Sequence, residues 1–301
     1  MLFQAIPGGQ GYAAPGRRTP GTLESLARAT GGVLRSSVAD YRVVEALPTT
    51  GTGQARYLCQ APERLELDES TVMVTELAVD ASGWRELIGN LSRLAGVESS
   101  HLLRLIEVGP DLDPSGAGVY LVSEAAPGRS VGEPAEPLDT TALVRTVAEA
   151  ARGAHTLHEC GIAHGSIDRR SIMLTGRGGA LGPPSLGGQA GVVTRMQEWG
   201  DVSVVDPALL RGEDPSRSTD IWALATTLHG LLSARPLYPG IDADPAVTAV
   251  QRVLFTRPEI DPSLPAGIAE SLAACLADDP GERILSAAEF ADRLAAVGVA
   301  P

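Results

Sequence analysis

Between positions 164 and 171 the chain reads His164-Gly165-Ser166-Ile167-Asp168-Arg169-Arg170-Ser171. One imidazole, one carboxylate and two hydroxyls fall in this short stretch, the residue types that acid–base chemistry uses. A magnesium ion would ask for one or two carboxylates, and none occurs between Asp168 and Glu198. Other chemistries are excluded by what is missing. Every basic side chain is Arg, so Schiff-base chemistry and the phosphate-binding lysine of a P-loop are both ruled out. Cys59, Cys160 and Cys275 are odd in number, widely spaced and free of any CxxC pair, so they read as reduced thiols rather than a disulfide frame or zinc site. His155 and His158 share a predicted helix without a Cys or carboxylate partner at ligand spacing, and read as core or surface histidines.

The elements that must position these residues change character along the chain. Residues 1–20 are rich in Gly and Pro and lack a period, which predicts a flexible leader, followed by a short helix ending near Gly31-Gly32. From Tyr41 the pattern is one of short strands, over 41–47, 55–60, 71–79, 102–108 and 119–123. A single helix over 82–94 interrupts them, with Trp84, Leu87, Leu91 and Leu94 on one stripe. After Gly128 the texture is helical: 141–158, 219–232, 268–277 and 286–294, the last opening with the Ser286/Glu289 spacing of a capping box. The Gly-rich run 176–191 is expected to be a loop. This is an α+β pattern in two parts.

The formal charge of −13 argues against nucleic acid and against an anionic membrane surface, because both need a basic face. No apolar stretch is long enough to span a bilayer, and the N-terminus lacks the basic start and apolar run of a secretory signal. These features predict a soluble, cytoplasmic protein.

The order of motifs resembles the protein kinase family, most closely the bacterial Ser/Thr type. In that family the catalytic loop reads His-Arg-Asp-Leu-Lys-x-x-Asn. Here His164 to Ser171 keeps the frame, led in by Gly161-Ile162 and followed by Ile172-Met173-Leu174. Asp206-Pro207-Ala208 stands where the family has Ala-Pro-Glu. Ser218-Thr219-Asp220-Ile221-Trp222-Ala223-Leu224 matches the start of its central helix, and Asp279-Pro280-Gly281-Glu282-Arg283 the approach to its last helix. The resemblance spans residues 41 to 296. It implies a bilobal protein kinase-like fold: an extension over 1–40, a small β-rich N-lobe with one helix over 41–127, and a larger helical C-lobe over 128–301.

The same resemblance implies that the chemistry is lost. Phosphoryl transfer rests on positioning and charge neutralisation. Ser166 takes the place of the base Asp, Ser171 that of the metal-binding Asn, and Ser185 that of the metal-binding Asp. Thr75 takes the place of the strand lysine, whose helix partner would be Glu86. Asp168 replaces the loop lysine. That change turns attraction for a phosphate into repulsion, at about 4 kcal/mol per unit-charge interaction for a separation near 4 Å and an effective dielectric near 20. The phosphate loop keeps Gly51 and Gly53 but has Pro48 and Thr50 at other glycine positions. The segment 122–126, with Glu124 and Ala126, is the hinge that would receive an adenine. His164 and Asp220 remain as scaffold, and Arg283, whose family partner is replaced by Ala208, needs Asp206 or Glu213 instead.

The expected function is therefore that of a pseudokinase: a regulatory or scaffolding module that docks another protein, with no cofactor, no metal and ATP binding disfavoured. Two alternatives use the same cleft. One is a metal-independent nucleotide sensor, the other a phosphotransferase with a rearranged site centred on Asp168.

Overall fold

The computed structural model describes residues 37–47, 55–67, 70–78, 84–95, 97–110, 118–125, 128–133, 138–184, 202–241 and 244–297. Six strands form one antiparallel sheet: β1 (Ser37–Val38), β2 (Tyr41–Leu47), β3 (Arg56–Gln60), β4 (Thr71–Ala78), β5 (Leu105–Pro110) and β6 (Gly118–Glu124). Their spatial order is β1-β2-β3-β4-β6-β5. The sheet thus begins at Ser37, ahead of the boundary expected at Tyr41, because Val38 pairs with Tyr41 and is itself fully buried. The short helix expected before Gly31 lies outside the described residues.

Alternation along the strands gives the sheet two different faces. Tyr41, Val43, Tyr57, Cys59, Val72, Val74, Tyr120 and Val122 build a small core on the outer face. Leu77, Val119 and Leu121 point the other way and pack with Leu91 and Leu94 around α1 (Trp84–Ser92). That inner core does not stop at the expected lobe boundary. It runs on without a break into the helical half, through Leu102, Val147, Leu157, Ile172, Leu181, Trp222, Leu228 and Phe290.

The second half opens with β7 (Gly128–Ser130) and α2 (Thr140–Glu159). Asp139 caps α2 by accepting from Ala142 N at 2.7 Å. The expected stripe of α2 is present in Val147, Ala151, Ala154 and Leu157, all buried. Next come β8 (Ile172–Thr175) and β9 (Gly178–Leu181), then α3 (Pro207–Leu210), α4 (Arg217–Leu232), α5 (Ala246–Phe255), α6 (Ala266–Ala273) and α7 (Ala287–Val297). Helix α4 is buried on nearly every side between Thr219 and His229, its polar Thr219, Asp220, Thr226 and His229 included. Ser216 and Thr219 close a capping box at its start. At α7, Ser286 Oγ accepts from Glu289 N, but the Glu289 carboxylate reaches Leu285 N, so the expected box is only half formed.

Three expectations are corrected. The run 176–191 is not all loop: Gly178–Leu181 is β9, the outer strand of a sheet ordered β7-β8-β9. Its small residues are what allow it to lie against α2, since a Cβ on Gly179 would sit 2.6 Å from the Thr146 carbonyl oxygen. Leu102 does not open β5. It bridges in parallel to Leu181 instead, and Leu103 N donates to Leu181 O at 2.9 Å. Helix α6 ends at Ala273, earlier than expected, and the residues after it turn to meet Ile284 N at the Ala274 carbonyl.

Candidate functional site

The loop from Ile162 to Ser171 joins α2 to β8, and Asp220 of α4 fixes it from beneath. Asp220 is 1% exposed. Its Oδ2 accepts from His164 N at 2.7 Å and its Oδ1 from Gly165 N at 2.9 Å. Gly165, at φ +78°, turns the chain in a region that L side chains avoid. A third bond reaches the same carboxylate from His158 Nε2, at 2.9 Å and fully buried. His158 is thus a core histidine, one of the two readings its sequence context allowed, and it holds the loop by its anchor. The helical period put it beside Leu157 but could not say which carboxylate it would meet.

His164 is where the resemblance places it, yet its ring makes no bond to Asp220. Its Nδ1 accepts from Ser166 N at 3.3 Å. Burial pushes its pKa below the ordinary value, outweighing the nearby Asp220 and Asp168 charges that favour the cation. The ring is a neutral strut inside the loop.

Ser166 stands at the base position, its Oγ buried and, among the described residues, without a hydrogen-bond partner. Ser171 is spent on the loop itself: its Oγ accepts from Asp168 N and donates to Asp168 O, both at 2.9 Å. The Asp168 carboxylate is likewise occupied. It accepts from Arg170 N at 2.8 Å and Ser171 N at 3.0 Å, and pairs with the Arg170 guanidinium at 2.7 Å. The repulsion expected from Asp168 is thus largely offset by Arg170, and the carboxylate is committed to the turn. Above the loop lies a groove of about 540 Å³, open to solvent, lined among others by Ser166, Asp168, Arg170, Val204, Leu209 and Thr219.

Thr75 lies on the inner face of β4, 6% exposed, directly opposite Leu121 and Arg56. Glu124 is engaged by its neighbours: its N donates to Arg104 O at 3.0 Å, and its carboxylate takes Arg104 N at 3.1 Å and Arg177 at 2.5 Å. Gly51, Gly53, Ala126 and Ser185 lie outside the described residues, as does the side chain of Glu86.

Of the two partners expected for Arg283, the fold supplies Asp206. Both side chains are completely buried and the pair is bidentate, with Nη2 to Oδ1 at 3.1 Å and a second, shorter contact from Nη1 to Oδ2. Arg283 Nε donates to Ala277 O at 2.8 Å, Nη1 also reaches Ser218 O at 3.1 Å, and the guanidinium lies 4.7 Å from the Trp222 ring centre. Asp206 also caps α3 through Ala208 N at 2.8 Å. Among the described residues no cluster of metal-ligating side chains occurs, and no helix is long and apolar enough to cross a membrane.

No family model matches the chain. It is similar to the serine/threonine-protein kinase PkaB of Streptomyces coelicolor, 27% identical over 246 residues, 75% of this chain and 57% of that protein. It is also similar to the serine/threonine-protein kinase PknJ of Mycobacterium tuberculosis, 23% identical over 274 residues, 87% of this chain and 46% of that protein. The chain spans about half the length of the curated relatives it matches. Among solved structures, the kinase domain of PknI from Mycobacterium tuberculosis superposes with a TM-score of 0.65 at 21% identity, covering 88% of this chain and 99% of that one.

Proposed function

We propose that this chain, whose fold is the bilobal, bacterial Ser/Thr protein kinase-like one, is a catalytically inactive homologue that works as a cytoplasmic binding module for another protein. The observation that carries this reading is the state of the loop over the groove. Ser166 offers a hydroxyl that cannot accept a proton at neutral pH, and the Ser171 and Asp168 side chains are consumed by the loop's own backbone and Arg170. Phosphoryl transfer needs a positioned base and metal-held charge, and neither role has a side chain available at these positions. The anchors His158, Asp220 and the Asp206–Arg283 pair are by contrast intact, so the reading assigns them to holding a surface rather than a reaction.

The rearranged phosphotransferase gains no support, because Asp168, the carboxylate it would use, is already paired. The test is direct. The purified full chain is incubated with γ-labelled ATP and magnesium or manganese, alone and with a generic protein substrate. No label above a no-protein blank is expected. Transfer that disappears in Ser166→Ala or Asp168→Asn would overturn the proposal. The binding role is tested by quantitative co-purification from the native host. A stoichiometric protein partner, retained in the non-transferring chain, is the expected result.

A further inference from the structure

Helix α5 (Ala246–Phe255) turns one face inward, where Ala249 and Val253 are buried. There it packs on the 3-10 turn Val202–Val204 and on α3. Its other side is apolar as well. Val247 is 71% exposed and Phe255 83% exposed, and Val250 and Leu254 are only partly covered, at the edge of the main core. A helix that is apolar all round is ordinarily buried all round. Single exposed apolar side chains are commonplace, but Val247 and Phe255 belong to one row. Val247, Gln251 and Phe255 follow each other at intervals of four, so they form a ridge along the helix, with Val250 and Leu254 on the next ridge.

Charge decides what can cover this side. The chain carries −13, so two copies repel each other across most of their surfaces. From Pro245 to Thr256 no exposed residue is charged. The one charge in that stretch, Arg252, is neutralised by Asp244 at 2.6 Å. A different protein drawn to so acidic a chain would present basic groups, and this face offers them nothing to pair with. A second copy presents the same uncharged ridge, and a two-fold contact needs a surface that complements itself. Ridges built on intervals of four interdigitate with one another, the commonest helix packing. Antiparallel about a two-fold axis near Gln251, that packing sets Phe255 of each copy beside Val247 and Val250 of the other. The two Gln251 amides then meet near the axis, each able to donate and accept.

We propose that α5 is a self-association surface, through which two copies of this chain pair antiparallel about a two-fold axis near Gln251. A helix of 10 residues is only about 15 Å long. It cannot supply the roughly 800 Å² per partner of a standard interface. The pairing is therefore weak, reversible and dependent on concentration. It is independent of the inactive-kinase reading, because it uses no residue of the loop held by Asp220.

The test is sedimentation velocity on the full chain, from about 1 μM to about 500 μM, the range in which weak complexes form. A reversible rise from one chain mass to two is expected. Phe255→Ser and Gln251→Glu should each weaken the dimer by about tenfold or more, the first by removing a central aromatic and the second by facing like charges. Gln251→Arg should weaken it likewise. An equimolar mixture of the Gln251→Glu and Gln251→Arg chains should restore it, as pairing across an axis at Gln251 requires. Leu285→Ser, which alters an 80% exposed leucine outside α5, should leave it unchanged. A chain that stays monomeric throughout overturns the proposal, as does a dimer that Phe255→Ser and Gln251→Glu leave intact. So does a different protein that binds the monomer through Phe255, since the face then belongs to that partner. Circular dichroism checks that the variants are folded; should Phe255→Ser unfold, the Gln251 variants carry the comparison. Label transfer from ATP is read separately, so failure of the dimer and failure of the inactive-kinase reading give different results.

Discussion

At the scale of single residues the scaffold was more legible than the site. Asp220 could be named from its motif, and so could the pairing need of Arg283, because a buried guanidinium must find a carboxylate. Asp206 meets that need with both side chains fully buried. His158 was not legible, since it acquires its role from a partner on a distant element. The Asp206–Arg283 pair makes a sharp prediction. Asp206→Ala leaves the guanidinium buried beside Trp222 with only carbonyl and hydroxyl acceptors, and should cost about 3–5 kcal/mol in denaturant unfolding. Asp206→Ala combined with Arg283→Met removes the stranded charge as well. The double variant should therefore be less destabilised than the sum of the singles, with a coupling of about 1 kcal/mol or more. Additive effects would mean that the two side chains do not act as a buried pair.

At the scale of elements, period revealed the long helices α2, α4, α6 and α7 and the strands of the large sheet, whereas helix α5, strands β7 and β9 and the pairings were not foreseen. The apolar stripe of α2 is a local signal, so it survives into the structure. Strand β9 has no such signal: Gly-Gly-Ala-Leu reads as loop because its small residues answer to a neighbour, not to a propensity. Gly153 on α2 shows the same principle from the helix side. A Cβ there would lie 2.0 Å from the His101 carbonyl oxygen, the same oxygen that accepts from Leu181 N at 2.9 Å. Gly230 on α4 has nothing within 4 Å of its Cβ position and is exposed. Helix propensity alone would make Gly→Ala favourable by up to about 1 kcal/mol at both. The packing separates them. Gly230→Ala should raise the melting temperature slightly, whereas Gly153→Ala should lower it, by the roughly 1–3 kcal/mol typical of overpacking. Equal signs for the two would show that the approach of α2 to the His101 carbonyl is not tight.

For the whole molecule, the change from strand-rich to helix-rich sequence near Gly128 suggested two lobes, and composition could say no more than that. What it hid is that Leu77, Leu91, Leu105 and Leu121 on one side of that boundary share a single buried cluster with Val147, Leu181 and Trp222 on the other. Hydrogen bonds reinforce the seam, with Leu181 N bound to His101 O and Leu103 N to Leu181 O. Only the outer face of the sheet has a core of its own, and it is small. Surface burial scales with such cores, so the strand-rich half has too little private apolar area to stay folded once the shared cluster opens. Residues from Ser37 onward should therefore unfold in one transition, although chains of this size often show intermediates. Scanning calorimetry checks this by comparing calorimetric with van't Hoff enthalpy. A ratio near unity is expected, with near-ultraviolet and far-ultraviolet circular dichroism melting together. Two resolved transitions, or a strand-rich half that outlives the helices, would show that the lobes are energetically separate.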